Sequence, residues 1–325
     1  MKISVIVPVR DEEESIRQLL DALLQQSRPA DEIVITDGGS IDATPQIIAE
    51  FMENHPEVRL MREGKALPGR GRNVAATAAS CEWLAFIDAG VVPARDWLEQ
   101  LVVCAASDPS TDVVYGTWEP VTDTFFKECA AIAYAYVPNR ENYDEVKRSR
   151  ALFSSLMRRS VWRDVGGFSE ALRSAEDLLF VNKIDAVAFE VRYAPAAVVR
   201  WAMQPTFKLT FERFVSYSRS NLSAGLARKW QASILARYLA LGILGLGLIW
   251  VTRWWAIITL GLLLTMYVSR AVVSLLRNRY TYPAGPERNA RRLMMLVPLL
   301  ITIDGAAIVG TFDWLVREKL HLLRG

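Results

Sequence analysis

The 325-residue sequence is poor in the residues on which many sites are built: it has two histidines and three cysteines. His55 and His321 stand far from each other and from every motif below, so neither suggests catalysis or a metal site. Cys81, Cys104 and Cys129 are odd in number and lack both the close pair spacing of a zinc site and a disulfide framework, so they read as buried thiols of a reducing compartment. An excess of charge is also missing: 38 Lys and Arg face 36 Asp and Glu, and a net +2 gives no basic field for nucleic acid. There is no glycine-rich loop with lysine for cradling a triphosphate, which argues against a nucleotidyltransferase. Residues 1–5 run straight into a strand pattern with no apolar segment and cleavage site, so no signal peptide is expected and the first domain is expected to stay in the cytoplasm. Long apolar runs are absent through about residue 230 and frequent beyond it.

That contrast explains a positive mean hydropathy of +0.15 in a chain with 23% charged residues. The first part alternates strand and helix. Residues 3–7 form a β-branched run closed by Pro8, suited to a parallel strand covered on both faces. Asp11 and Glu14 have capping-box spacing ahead of Ile16, Leu19, Leu20, Leu23 and Leu24, which predicts a helix from near Glu12. Residues 32–36 and 83–87 read as further strands, Ile47, Ile48 and Phe51 as a second helix, Leu98 to Ala105 as another helix and 112–117 as one more strand. Such an order implies a parallel sheet whose loops after Val7, Thr36 and Ile87 converge on one crevice, carrying Arg10, Asp37 and Asp88.

Asp37 follows a strand and precedes two glycines, a shape that receives a flat base or makes an Asx turn; Ser40 and Asp42 suit the turn role. Arg70 and Arg72 stand near a helix N-terminus, where backbone NH groups also attract diphosphate; a solvated basic turn is the alternative for Arg70. Asp88 ends a strand, and Glu176-Asp177 follows the Gly166-Gly167-Phe168 turn. In order and spacing, Val5-Ile6-Val7-Pro8, Asp37-Gly38-Gly39-Ser40, Asp88-Ala89-Gly90, Gly166-Gly167-Phe168 and Glu176-Asp177 resemble the motifs of glycosyltransferase family 2, over residues 1 to about 220.

The resemblance implies a GT-A fold, an α/β nucleotide-sugar-binding domain with a mostly parallel sheet, followed here by C-terminal transmembrane helices. It assigns the nucleotide-sugar, a UDP-sugar by preference, to Pro8, Arg10, Asp37, Arg70, Arg72 and Asp88, the general base to Asp177, and the acceptor side to Gly167, Phe168 and Glu176. Asp88 matches the family's Asp-x-Asp element for Mg2+ or Mn2+, but Gly90 replaces the second aspartate, so either the ion rests on Asp88, phosphate oxygens and water, which is favoured, or another ligand serves, or metal dependence is weakened; a carboxylate that only caps the turn is the other reading of Asp88. The implied reaction is inverting transfer of one sugar, in which a base removes the acceptor proton while a cation neutralises the departing diphosphate. A nucleotide-sugar-binding scaffold without transfer activity is the alternative that Gly90 motivates. Processive members carry Gln-x-x-Arg-Trp; this chain has Arg200-Trp201 but Ala197 at the glutamine position, which favours single transfer.

Residues 206–231 interleave Phe207, Leu209, Phe211, Phe214, Val215 and Tyr217 with Lys208, Arg213 and Arg219, as in a helix lying on a membrane surface; core packing is the other reading. Three apolar stretches follow, at 232–251, 254–276 and 293–316, each long enough to span about 30 Å of hydrocarbon. Residues 277–292 hold five arginines and one glutamate and should be cytoplasmic. The third stretch contains Pro298, Asp304, Gly305 and Asp313, so a broken or re-entrant segment stays open, as does the choice for Asp304 between a lipid-phosphate contact and a bundle-facing role. The expected organisation is a catalytic domain over 1–205, an interfacial segment over 206–231 and a multi-pass region of two or three helices over 232–325 in the cytoplasmic membrane. The expected acceptor is lipid-linked, either a polyprenyl phosphate or a growing oligosaccharide on a lipid carrier.

Overall fold

A computed structural model describes residues 1–135, 150–226 and 231–319. They form two compact units, one of residues 1–120 and 150–202 and the other of 121–135, 203–226 and 231–319.

In the first unit the strands β1 (Ile3–Val9), β2 (Glu32–Asp37), β3 (Val58–Arg62) and β4 (Trp83–Phe86) pair in parallel. The alternation of side chains splits β1 between two cores. Val5 and Val7 join Ile16, Leu19 and Leu20 of α1 (Ile16–Leu24) on one face, while Ile6 joins Ala75 and Ala76 of α3 (Pro68–Ala78) on the other. Helices on both faces explain why β1 and β4 are almost wholly apolar. Between β2 and β3 lies α2 (Thr44–Asn54). The sheet continues with short or irregular strands: β5 (Val91–Pro93), β6 (Val113–Val121), β7 (Ser155–Arg158) and β8 (Val191–Ala202), in the order β3-β2-β1-β4-β7-β6-β8-β5. The β4–β7, β6–β7 and β5–β8 pairs are antiparallel, so the sheet is mixed. Order reverses at β1, whose neighbours β2 and β4 come from opposite sides, and ligand crevices form at such points. The remaining helices of this unit are α4 (Trp97–Ala106), α6 (Arg159–Asp164) and α7 (Glu176–Asp185).

Helix α1 starts at Ile16 and not near Glu12. Asp11 does not cap it: its φ is 54°, and its Oδ1 accepts from the Ile41 amide, while Glu12 O accepts from Ser15 and Ile16. The acidic run 11–14 thus forms a loop whose side chains serve the neighbouring turn.

Glu32 is 6% exposed at the start of β2. Although burial works against its charge, hydrogen bonds from Ser4, Ser80 and Arg59 hold its carboxyl at about 2, below the ordinary 4.5. A depressed folded-state value stabilises the fold above pH 4.5 and is lost as pH falls toward about 2. Glu32→Gln is therefore expected to unfold at lower temperature than the wild type at pH 7, with a gap that closes as pH falls through that window in thermal melts of the detergent-held chain.

The second unit contains α5 (Phe125–Tyr134), α8 (Phe207–Ser223), α9 (Ala232–Ile249), α10 (Trp255–Arg277) and α11 (Pro286–Trp314). Thr206 caps α8 by accepting from the Leu209 amide. The face that α8 buries is small and polar: Thr210, Ser218, Ser220 and Asn221, with Phe207, Leu209 and Tyr217 left exposed. Ser218 donates to Ala307 O at 2.8 Å, and a Cβ at Gly310 would come within 2.6 Å of Val215 O, so α8 and α11 approach through small residues. Helices α9, α10 and α11 are long and apolar enough to cross a membrane. The break considered at Pro298 or Gly305 does not occur: α11 is continuous through both. Asp313 pairs with Arg219 and Arg317.

Candidate active site

Arg72 organises the site. It lies in the first turns of α3 and is 3% exposed. Its Nη1 donates to Glu176 Oε1 at 2.6 Å and its Nη2 to Asp88 Oδ1 at 2.6 Å, with the guanidinium 5.4 Å from the Phe168 ring centroid. One cation therefore ties the end of β4 to the start of α7. Burial opposes its charge, but Asp88, Glu176 and Asp177 together raise its pKa above the ordinary arginine value, so it is charged at every accessible pH.

Glu176 is 4% exposed and Asp177 is half-buried. Burial pushes both carboxyls above their ordinary range; Arg72 pulls both down, while the like charge of Asp177 raises Glu176 and that of Asp88 raises Asp177. Ala175, at φ 70° in the left-handed region, precedes them, a conformation that costs about 1–3 kcal/mol in a residue other than glycine and that aims the first turn of α7. Asp177 Oδ1 accepts from the Leu178 amide at 2.8 Å.

The turn before α7 is fastened to α3 by Asn73. Its Oδ1 accepts from the Phe168 amide and from Trp162 Nε1, and its Nδ2 donates to Phe168 O and Glu170 Oε1. Close approach is possible because residue 69 is glycine; a Cβ there would collide with Ser169 O. Phe168 stacks on Phe180 with centroids 3.9 Å apart and is 3% exposed. Of the residues expected on the acceptor side, Phe168 is a buried platform under Arg72, Glu176 is a buried ion-pair partner, and Gly167 is buried with its carbonyl accepting from Lys183 Nζ.

On the nucleotide side, register places Asp37 level with Val9, at the carboxyl end of β2 beside β1, while β4 runs along the other side of β1 toward Asp88. Asp37 is 5% exposed and its Oδ1 accepts from Ser40 N (3.0 Å) and Ser40 Oγ (2.6 Å). Asp42 accepts from the amides of Thr44 and Glu13, a turn role. Pro8 packs on α3, 3.1 Å from where a Cβ would stand on Gly71. Arg10 is exposed beside Asp11 at 3.5 Å, and Arg70 is exposed and pairs with Glu63 (3.4 Å) and Glu170 (3.5 Å).

Gly90 has φ 81°, a left-handed conformation that glycine adopts without steric cost. A Cβ there would lie 3.8 Å from Glu12 Oε2, so another carboxylate already stands beside this position.

The sequence model described as Glycosyl transferase family 2 matches residues 4–165, the stretch that supplies Pro8, Asp37, Arg72 and Asp88. The chain belongs to this family. It is 24% identical over 233 residues to a probable glycosyltransferase, YdaM, of Bacillus subtilis, covering 68% of this chain and 55% of that protein. It is 27% identical over 224 residues to the pre-mycofactocin glycosyltransferase of Mycobacterium tuberculosis, covering 61% and 42%. The chain thus spans about half the length of these curated relatives. Among solved structures, the mannosyltransferase PcManGT of Pyrobaculum calidifontis, in complex with GDP-Man and Mn2+, has a TM-score of 0.57 at 20% identity, with 98% of this chain and 88% of that chain covered. That likeness shows a shared fold. Family 2 membership also frames what the motifs did not reveal: Asn73, adjacent to Arg72, bonds to residues about 95 positions away, a link that no local spacing displays.

Proposed function

We propose that this family 2 chain is an inverting glycosyltransferase that moves one sugar from a nucleotide-diphosphate donor, a UDP-sugar by preference, to a lipid-linked acceptor in envelope polysaccharide or glycolipid synthesis. The observation that carries the reading is the Arg72 bridge, which gathers Asp88, Glu176 and Asp177 at one place. For a hydroxyl acceptor Asp177 is the base: burial lifts its carboxyl above its ordinary value, which makes it a stronger proton acceptor. Asp37, fixed by Ser40, addresses the base of the nucleotide, with Arg10 and Arg70 at the rim of the donor site.

The residues present fit a divalent cation. Three carboxylates against one guanidinium leave a charge of −2 when all are ionised, and the buried Oε2 of Glu176 has no hydrogen-bond partner. Asp88, with Glu12 beside Gly90, would hold Mg2+ or Mn2+, which supplies electrostatic stabilisation of the leaving diphosphate. Arg72 keeps Asp88 oriented and adds fixed positive charge near the same groups.

Single transfer is favoured over polymer extension because Ala197 is fully buried against Gly116, which leaves no room for the glutamine of the processive signature. The three apolar helices support a multi-pass protein of the cytoplasmic membrane, with the arginine-rich residues 277–292 and the donor site in the cytoplasm, where nucleotide-sugars are. The scaffold reading rests on Gly90 alone. Purified full-length chain incubated with radiolabelled nucleotide-sugars and membrane lipids is expected to yield a labelled lipid product that depends on Mg2+ or Mn2+. Nucleotide-sugar binding by calorimetry without transfer to any lipid would favour the scaffold.

A further inference from the structure

We infer that α9, α10 and α11 carry a seat for a lipid phosphomonoester, with Arg237 as its anion-binding group. This inference deepens the lipid-acceptor reading above and rests on it for its biological meaning, though not for its chemistry.

Asp304 lies in the middle of α11 and is 1% exposed, inside an apolar segment. Both of its oxygens are taken by Arg270, one at 3.1 Å from Nη2 and the other by Nη1, and the hydroxyls of Tyr238 and Tyr267 stand 3.3 Å from Oδ2. Arg270 therefore neutralises Asp304 by itself. A second guanidinium stands at the same place: Arg237 Nη2 is 4.0 Å from Asp304 Oδ2, its buried Nε has no hydrogen-bond partner, and its side chain is 37% exposed. Two arginines against one aspartate leave a surplus of one positive charge at this level of the apolar helices, a costly arrangement unless an anion completes it.

The depth suits a lipid phosphate. Arg237 is five residues into α9 and Arg270 is seven from the end of α10, which at helical rise puts each about 7–10 Å from helix ends on the side of the arginine-rich turn. Long arginine side chains at that level reach back to the boundary between acyl chains and headgroups. A phosphomonoester supplies the missing negative charge and acceptors for Arg237. Leu239, 66% exposed on α9, and Ile243, 62% exposed, continue the surface for an apolar tail.

The test uses the full chain in phosphatidylcholine nanodiscs and measures binding of radiolabelled polyprenyl monophosphate. Unlabelled polyprenyl monophosphate is expected to displace it, and Arg237→Ala to weaken binding at least tenfold, with Arg237→Lys intermediate. Calorimetric UDP binding by Arg237→Ala should stay at the wild-type value, which shows that the variant is folded. Wild-type affinity in Arg237→Ala would overturn the proposal. Equal displacement by polyprenol, by phosphatidylglycerol or by inorganic phosphate would also overturn it, by assigning the site to the tail, to any anionic headgroup or to free phosphate. Transfer to a lipid acceptor that is unaffected by Arg237→Ala removes the seat and leaves the transferase. Arg237-dependent binding in a chain that transfers sugar to no lipid keeps the seat and removes the acceptor reading.

Discussion

Asp177→Asn is expected to lower kcat on a sugar-hydroxyl acceptor by about 10²–10⁴-fold, the usual contribution of a positioned general base, with little change in KM for the donor. The substitution keeps the shape of the side chain and an oxygen to accept from the Leu178 amide, so the first turn of α7 should survive it. Because burial raises the Asp177 carboxyl above its ordinary value of 3.8, wild-type kcat/KM should rise with pH as the carboxyl loses its proton, and this acid limb should vanish in the variant. A lipid phosphate acceptor is already anionic and needs no base, so there the same variant should be nearly silent. Initial rates on both acceptor classes across pH decide between them. Full turnover of the variant on a hydroxyl acceptor would remove Asp177 from the reaction.

Arg72→Met is expected to cost stability as well as activity. It strips the cation from between Asp88 and a Glu176 that is only 4% exposed, and a buried charge deprived of its partner typically costs about 3–5 kcal/mol. Part of that loss should return in the double variant Arg72→Met with Glu176→Gln, since the second change removes the stranded charge. Arg72→Lys, with one point charge in place of a planar fork, does not reproduce the two diverging 2.6 Å bonds and should keep the fold better than it keeps donor affinity. Thermal melts and UDP calorimetry on the three variants separate these effects. An Arg72→Met protein as stable as the wild type would show that the bridge contributes nothing to the fold.

The strands β1, β2 and β4 were legible because they are buried on both faces and read as mainly apolar runs, whereas β3 at the sheet edge, with Arg59 and Arg62, was not. Among the antiparallel strands only β6 was, over residues 112–117. β5 has three residues, β7 four, and β8 carries Arg192 and Arg200 within an irregular burial pattern, so none shows a usable period. The same limit applied to α8, whose exposed Phe207, Leu209 and Tyr217 suggested its amphipathic character while the buried face, Thr210, Ser218 and Asn221, gave no apolar signal at all. At the site, strand-end carboxylates and the Arg72 helix start could be placed from spacing. The burial of Phe168 and Glu176 could not, because it depends on Phe180 stacking and on a guanidinium about 100 residues away in the chain. Gly90 was legible in sequence as a missing second carboxylate, but not that it turns the backbone at φ 81°.

The most direct test is a structure of the full chain with UDP and Mn2+. The diphosphate should lie at the carboxyl ends of β1 and β4, with Mn2+ bound by Asp88 and the uracil against Asp37. A nucleotide bound elsewhere, with the Arg72 cluster untouched, would contradict the account.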